Sequence, residues 1–214
     1  MLKNIFFDLD GTIVDSKEGI INGFIYALKY FNIEVKNRKQ LEKFIGPPLE
    51  DTFMEYYNFT KEQSDYAIEK YREFYENSGV WETKLYTGID NIIHKLKQNG
   101  RNVILATSKP EIFANKILEK YKIKSYFFFI AGATLDGTRN KKKDVIKYAL
   151  ENIKNENVEN CIMVGDRNCD INGAKANNMK SIGVTYGFGS KAELENAGAD
   201  YIAENMEELE KILL

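Results

Sequence analysis

Histidine and cysteine are scarce in this sequence of 214 residues, which contains one histidine and two cysteines. His94 lies in segment 88–100, where apolar residues recur at helical spacing and the histidine falls off their face. We therefore expect it to be inert, which excludes serine triads, histidine phosphatases and histidine-rich zinc sites. Cys161 and Cys169 lie close in sequence and predict no disulfide framework, which favours a reducing cytoplasm.

Long apolar runs and an excess of basic residues are also absent. No stretch is apolar enough to span a bilayer, and acidic residues interrupt the short apolar run at the N-terminus, so we expect no signal peptide and no membrane partner. The net charge is −2, whereas proteins that bind nucleic acid polymers are usually basic. With 43% hydrophobic and 29% charged residues, the composition is ordinary for a globular protein. A length of 214 residues is enough for one sizeable core, or for one domain with a smaller inserted module.

Predicted helices and strands alternate along most of the chain. Near-continuous apolar runs such as VILAT, YFFFIA and CIMVG are typical of buried parallel strands. Alternation of this kind predicts an α/β fold, with a doubly wound parallel sheet covered by helices on both faces. The predicted strands are 3–8, 102–107, 126–131, 160–164 and 180–185. The predicted helices between and after them are 89–99, 111–121, 143–153, 170–178 and 205–213.

A long helical stretch interrupts this alternation after the first strand. It runs from residue 16 to about 78, with breaks near Asn32, Gly46 and Asn58. We therefore expect a core domain formed by residues 1–15 and 84–214, and an inserted all-helical module formed by 16–83. Aromatic residues in this module mostly follow helical spacing, which predicts that they form its own core.

Polar residues follow three of the predicted strands. Asp8 and Asp10 end the first strand, the triplet ATS ends another at 106–108, and VGD ends a third at 164–166. Because ligands bind at the carboxyl ends of parallel strands, we expect these segments to converge on one edge of the sheet. Carboxylates that meet there repel each other unless a cation joins them, and hard oxygen ligands suit Mg²⁺.

These residue types can transfer a phosphoryl group. Asp8, as a metal-bound carboxylate, can attack phosphorus without a base, and Asp10 can give a proton to the leaving oxygen and later take one from water. Thr107 and Ser108 offer donors to the phosphoryl oxygens, and a lysine from the run 141–143 adds positive charge. Gly11 allows the backbone to turn and to bring its N–H towards phosphate.

Together, the motifs resemble those of the haloacid dehalogenase superfamily. They read DLDGT, TSK, KKK and GDRNCD, in the order found in that family, and a helical insertion after the first motif resembles its C1-type cap on a Rossmann-like core. The resemblance implies the following roles, with Mg²⁺ as cofactor. Asp8 is the nucleophile, Asp10 the acid/base and, through its carbonyl, a metal contact, Thr107 and Lys142 bind phosphate, Asp166 is the main metal ligand and Asp170 supports it.

We therefore expect a magnesium-dependent phosphatase that acts on a small phosphorylated metabolite, as a monomer or weak homodimer. The segments FIGPPLEDTF and LDGTR resemble the branch of phosphoglycolate phosphatases and 5′-nucleotidases. A phosphoglycolate phosphatase is the first expectation, and a 5′-nucleotidase or a phosphosugar mutase the alternative. From a different class, a signalling or binding module with a phosphorylated aspartate and no turnover also stays open.

The inserted module is expected to select the leaving group. The turn at Gly46 is stiffened by two prolines, and Lys43 and Arg72 are the basic groups that flank it, so these three residues are candidate specificity residues. The segment YGFGSK at 186–191 looks suited to cradling phosphate but lacks the Gly-Lys-Ser/Thr ending of a P-loop. We interpret it as a turn between a strand and a helix.

Overall fold

A parallel β-sheet organises most of the protein, as seen in a computed structural model that describes residues 2–154 and 157–214. Within those residues the sheet has six strands, which are β1 (Asn4–Phe7), β4 (Asn102–Pro110), β5 (Phe127–Ala133), β6 (Cys161–Gly165), β7 (Lys180–Val184) and β8 (Tyr201–Ala203). All adjacent strands run parallel, which confirms the predicted α/β fold class. Across the sheet the strands lie in the order β5-β4-β1-β6-β7-β8.

The order of the strands reverses beside β1. From β1 the chain adds β4 and β5 on one side, then returns to add β6, β7 and β8 on the other. Phe7 at the end of β1 pairs with Leu105 of β4 and with Val164 of β6, so β1 and β6 end nearly level, whereas β4 continues to Pro110. A reversal of this kind opens a crevice at the carboxyl ends of the strands, where ligands bind in open α/β sheets.

Helices cover the sheet and bury its apolar side chains. One core cluster joins Phe6, Ile104 and Met163 of the central strands to Val145 and Ile146, all of them buried. The helices that follow the sheet strands are α4 (Ile89–Gln98), α5 (Glu111–Lys120), α6 (Lys142–Asn152), α7 (Asn168–Ala176), α8 (Lys191–Ala197) and α9 (Met206–Leu213). Helix α8 and strand β8 lie in the segment 186–204, for which the sequence predicted only a turn and no further strand.

Strand β5 departs from the burial expected of its apolar sequence. The run YFFFIA predicted a strand that is covered on both faces, but Phe128 is 59% exposed. The reason is position, because β5 is the edge strand of the sheet and pairs on one side only. An uninterrupted apolar run therefore does not distinguish an edge strand from a central one.

Residues Ser16–Lys84 form a second compact unit. The first unit is made of the segment that ends at Asp15 and the segment Leu85–Leu214. The core of the second unit is aromatic, since the ring of Phe24 lies 5.3–5.4 Å from those of Phe44, Phe53 and Tyr71. Other aromatic rings, such as that of Tyr56, are exposed. Its helices are α1 (Lys17–Lys29), α2 (Leu49–Tyr57) and α3 (Lys61–Asn77), with 3₁₀ turns at Arg38–Phe44 and Gly79–Trp81.

Two very short strands mark the chain segments at the boundary between the units. These are β2 (Val14–Asp15) and β3 (Lys84–Leu85), which pair with each other as a two-stranded sheet. Further 3₁₀ turns lie at Lys124–Tyr126 and Val158–Asn160. Across the described part of the chain, every helix is too short or too polar to cross a membrane.

Two phenylalanines in the same sheet test how burial depends on strand position. Phe6→Ala should lower the free energy of unfolding by about 3–5 kcal/mol, because it opens a cavity in the core cluster. Phe128→Ala should cost less than about 1 kcal/mol, because the exposed ring loses little packing. Urea denaturation measures both values. Equal losses would contradict the edge position of β5.

Candidate active site

Three strand ends bring polar residues together at the crevice beside β1. Asp8 follows β1 directly and extends its ladder, since its N–H donates to the carbonyl of Val164 at 2.9 Å. Asp166 follows β6, and Thr107 is the sixth of the nine residues of β4. Thr107 and Asp166 are almost fully buried, at 1% and 0% exposure. The register of the central strands thus collects residues that lie about 150 positions apart in sequence.

Three carboxylates form a tight cluster in this crevice. Asp8, Asp166 and Asp170 each offer an oxygen within 4.8 Å of the others, and all three side chains are buried. Burial raises the pKa of Asp166 well above its ordinary value, and the charges of Asp170 and Asp8 raise it further. Burial likewise raises the pKa of Asp170 to about 6. Carboxylates held in this way suit a hard cation with oxygen ligands.

Lys142, at the start of α6, is the buried lysine of the run 141–143, and its two neighbours are exposed. Its Nζ lies 2.7 Å from Asp8 Oδ1 and 2.8 Å from Asp170 Oδ1, and it donates to the carbonyl of Ala106 at 3.1 Å. Burial alone would lower the pKa of Lys142, but Asp170 and Asp8 outweigh it and the pKa rises above its ordinary value. Two ion-pair contacts and one hydrogen bond thus direct this ammonium to groups within the protein.

A second buried lysine reaches the site, and sequence reasoning gave it no role. Lys109 Nζ lies 2.9 Å from Asp10 Oδ2, and both side chains are largely buried. The backbone N–H of Lys109 also donates to Thr107 Oγ1 at 3.2 Å. A sequence signal was available, because Lys109 follows Thr107 by two positions, the spacing at which strand side chains point to the same face.

Asp166 is enclosed by two loops. Thr12 donates to its Oδ1 at 3.4 Å, and the backbone N–H of Phe188 donates to its Oδ2 at 2.8 Å. The segment 186–191 is a turn between β7 and α8, as predicted, but it also forms one wall of the site. Tyr186 in this turn donates to the carbonyl of Thr12 at 3.1 Å and so ties the two loops together.

Gly11 contributes to the site differently from what the sequence suggested. Its N–H, predicted to approach phosphate, donates instead to the carbonyl of Val14 at 2.8 Å. Its φ of +79° belongs to the left-handed region, and a Cβ here would lie 2.1 Å from Asp166 Oδ2. Glycine is therefore required by the turn and by the close approach of Asp166.

The predicted specificity residues belong to the second unit. Lys43 is exposed, and its ammonium lies 4.2 Å from the centroid of the Tyr56 ring. Gly46 has a φ of +107° in the turn before α2. Arg72 on α3 is half-buried, and burial lowers the pKa of its guanidinium. Among the described residues, its buried Nε has no hydrogen-bond partner.

Comparison with known proteins identifies the family. The sequence model of the haloacid dehalogenase-like hydrolase family matches residues 5–184 of this chain. This chain belongs to that family. The match spans both units, and it includes the strand ends that carry Asp8, Thr107 and Asp166.

Individual relatives agree with this assignment. A 5′-nucleotidase of Pseudomonas aeruginosa is 37% identical over 210 residues, which cover 98% of this chain and 95% of the relative. The tyrosine-protein kinase PtkA of Mycobacterium tuberculosis is 33% identical over 211 residues, covering 98% of this chain and 72% of the relative. The crystal structure of a predicted phosphatase from Clostridium acetobutylicum has a TM-score of 0.97 and 46% identity, with coverage of 100% and 98%. The predicted family and enzyme class, that of a phosphatase, are confirmed.

The charges of this haloacid dehalogenase-like site fit a divalent cation. With all of these groups ionised, four carboxylates and two ammonium groups leave two negative charges in a largely buried crevice. One divalent cation would neutralise them, and the oxygen donors are of the kind that Mg²⁺ prefers. The groups counted are Asp8, Asp10, Asp166, Asp170, Lys109 and Lys142.

The enclosed position of Asp166 generates a stability test. In excess chelator, Asp166→Asn should be more stable than the wild type, because it removes a buried charge and keeps the acceptor for the N–H of Phe188. The thermal midpoint should rise by roughly 2–4 °C for each kcal/mol gained. Adding Mg²⁺ should stabilise the wild type and leave the variant unchanged, as measured by thermal unfolding and calorimetric titration.

Asp170→Asn is the matched comparison. It should give a smaller stabilisation in chelator, because it also removes an ion pair with Lys142, and it should weaken Mg²⁺ binding less than Asp166→Asn. A wild type that is more stable than Asp166→Asn in chelator would show that the carboxylate cluster carries no net repulsion.

Proposed function

We propose that this chain is a magnesium-dependent phosphatase that hydrolyses a small phosphate monoester through an aspartyl-phosphate on Asp8. The observation that carries the proposal is the way Asp8 is held. Its Oδ1 receives both the ammonium of Lys142 and the N–H of Leu9, each at 2.7 Å. Neither contact involves Oδ2, which leaves that oxygen for attack on phosphorus.

Asp8, Asp166 and Asp170, together with the carbonyl of Asp10, would hold the Mg²⁺. When bound, the ion supplies positive charge that offsets the repulsion between these carboxylates and an incoming phosphate dianion. Thr107 adds a hydroxyl donor, since its oxygen already accepts from the N–H of Lys109 and its own hydrogen is left for a phosphoryl oxygen. Ser108 follows it and is half-buried.

The reaction has two displacements at phosphorus. In the first, Asp8 Oδ2 forms a bond to phosphorus, the ester P–O bond breaks, and the departing oxygen takes a proton from Asp10. In the second, Asp10 takes a proton from water, the water oxygen bonds to phosphorus, and the bond to Asp8 breaks. Inorganic phosphate leaves and both carboxyl groups return to their starting states. The ammonium of Lys142 keeps Asp8 Oδ1 in place throughout.

For the leaving group, we propose a nucleoside, with glycolate as the second candidate. The 5′-nucleotidase of Pseudomonas aeruginosa supports a nucleoside monophosphate, since it matches nearly the whole chain at 37% identity. Phosphoglycolate, the first expectation from the sequence, is supported by Arg72, whose buried Nε lacks a partner among the described residues and would suit a carboxylate. We propose that unit Ser16–Lys84 is the cap that makes this selection.

Replacement of the nucleophile tests the reaction. Asp8→Asn should lower kcat by about 10³-fold or more, because the amide cannot attack phosphorus and no other group replaces it. Hydrolysis of p-nitrophenyl phosphate with Mg²⁺ measures the loss, and excess chelator should silence the wild type. Asp136→Asn, which changes an exposed aspartate in the same unit, is the control and should keep full activity. Multiple turnover by a clean preparation of Asp8→Asn would refute the covalent mechanism.

A panel of phosphate esters tests the leaving group. Nucleoside 5′-monophosphates should give a higher kcat/KM than phosphoglycolate. If phosphoglycolate is preferred instead, Arg72→Ala and Lys43→Ala should raise its KM by about tenfold, because each removes a cation that could pair with the glycolate carboxylate. Neither substitution should change the KM for nucleotides by more than about twofold. A preference for a phosphate diester or a protein substrate would contradict both candidates.

A further inference from the structure

The end of β4 directs Lys109 into the active site. Proline follows it at position 110, and a residue before proline is restricted to extended backbone. The pairing of β4 with β5 shifts register between Ala106 and Pro110, so this stretch is irregular although it remains a strand. Its backbone is fixed further by the hydrogen bond from the N–H of Lys109 to Thr107 Oγ1. The side chain is 8% exposed in a crevice, and its ammonium meets Asp10.

The two oxygens of Asp10 have different surroundings. Oδ2 is paired with Lys109 at 2.9 Å. Oδ1 is buried, and within residues 2–154 and 157–214 it has no hydrogen-bond partner. A carboxylate without fixed partners turns broadly about its terminal bond, so the pair with Lys109 selects which oxygen faces away from the ammonium.

We propose that Lys109 is a positioning residue for the reaction, which holds Asp10 by Oδ2 and so assigns proton exchange to Oδ1. This inference rests on the proposed function, in which Asp10 is the acid and then the base. Lys109 keeps its own protons in both half-reactions. The proton moves from Asp10 Oδ1 to the departing oxygen in the first half, and from water to Oδ1 in the second.

The other lysine cannot take this role. Lys142 Nζ contacts Asp8, Asp170 and the carbonyl of Ala106, and none of these contacts involves Asp10. Each buried ammonium therefore serves one of the two reacting carboxylates. Proton transfer is sensitive to displacement of the donor atom, and a shift of about 1 Å can cost about 100-fold in rate. Loss of Lys109 should therefore lower the rate of the steps in which Asp10 transfers a proton.

Single-turnover phosphorylation of the enzyme separates this role from direct binding of phosphate by Lys109. Lys109→Met should slow phosphorylation by an unactivated alkyl phosphate by about 10–100-fold, because the leaving oxygen needs the proton of Asp10. With p-nitrophenyl phosphate, whose leaving group needs no proton, the rate should fall by less than about threefold. KM should change by less than about threefold for both. A large and equal rise in KM for both esters would assign Lys109 to the phosphate and overturn the proposal.

A double-mutant cycle keeps the test valid if Lys109→Met is unstable. In Asp10→Asn, the further change Lys109→Met should reduce the rate by less than about threefold, because the group it positions has already been lost. The double variant should also be more stable to heat than Lys109→Met, since no buried carboxylate is left without its partner. Losses that multiply in the double variant would overturn the proposal.

Two further variants complete the design. Lys109→Arg keeps the charge and should recover part of the rate with the alkyl phosphate, whereas Lys147→Met removes an exposed lysine and should have no effect. Asp8→Asn separates a failure of the proposed covalent mechanism from a failure of the proposed role of Lys109. If that variant turns over, the proposed mechanism fails, while the thermal coupling between Lys109 and Asp10 still reports whether the pair exists.

Discussion

Carboxylates buried at the edge of a parallel sheet are the constraint on which the rest of this structure depends. Charged side chains are costly to bury unless opposite charge accompanies them. Here the cluster of Asp8, Asp166 and Asp170 is almost fully enclosed, and burial raises the pKa of Asp166 and Asp170. Lys142 and Lys109 supply part of the opposing charge, and one divalent cation would supply the remainder. Much of the local structure serves to hold this arrangement.

The backbone packs closely around Asp166 and holds its buried carboxylate in place. A Cβ on Gly11 would collide with its carboxylate, and one on Gly187 would lie 2.5 Å from its Cβ. The same two loops supply Thr12 and the N–H of Phe188 as hydrogen-bond donors. Glycines here allow backbone donors to approach a carboxylate on two sides, which fixes its orientation without a large side chain.

Family membership defines the reaction class more firmly than the substrate. Relatives that match nearly this whole chain include a 5′-nucleotidase and a tyrosine-protein kinase, so one scaffold carries different activities. The residues proposed to handle the phosphoryl group lie in the first unit, on or beside the central strands. In the proposed reaction, only the departing oxygen of the leaving group meets one of them, Asp10. Selection by the second unit would allow the substrate to change while Asp8, Asp166 and Lys142 stay where they are.

The sequence by itself determined the parallel sheet, the helical insertion and the positions of Asp8, Asp10 and Asp166 at strand ends, whereas Thr107, predicted to end its strand, lies within β4, which continues to Pro110. Apolar strand sequences that alternate with helices and are followed by polar residues are local patterns. They are the same whatever the order of the strands in the sheet. Only the tertiary structure decided the rest, because strand order and side-chain direction are properties of the whole sheet. It placed β5 at an edge of the sheet, so Phe128 is exposed. It also directed the N–H of Gly11 to the carbonyl of Val14 in the same loop. It also paired Lys109 with Asp10 across about 100 residues of sequence and brought the N–H of Phe188 to Asp166.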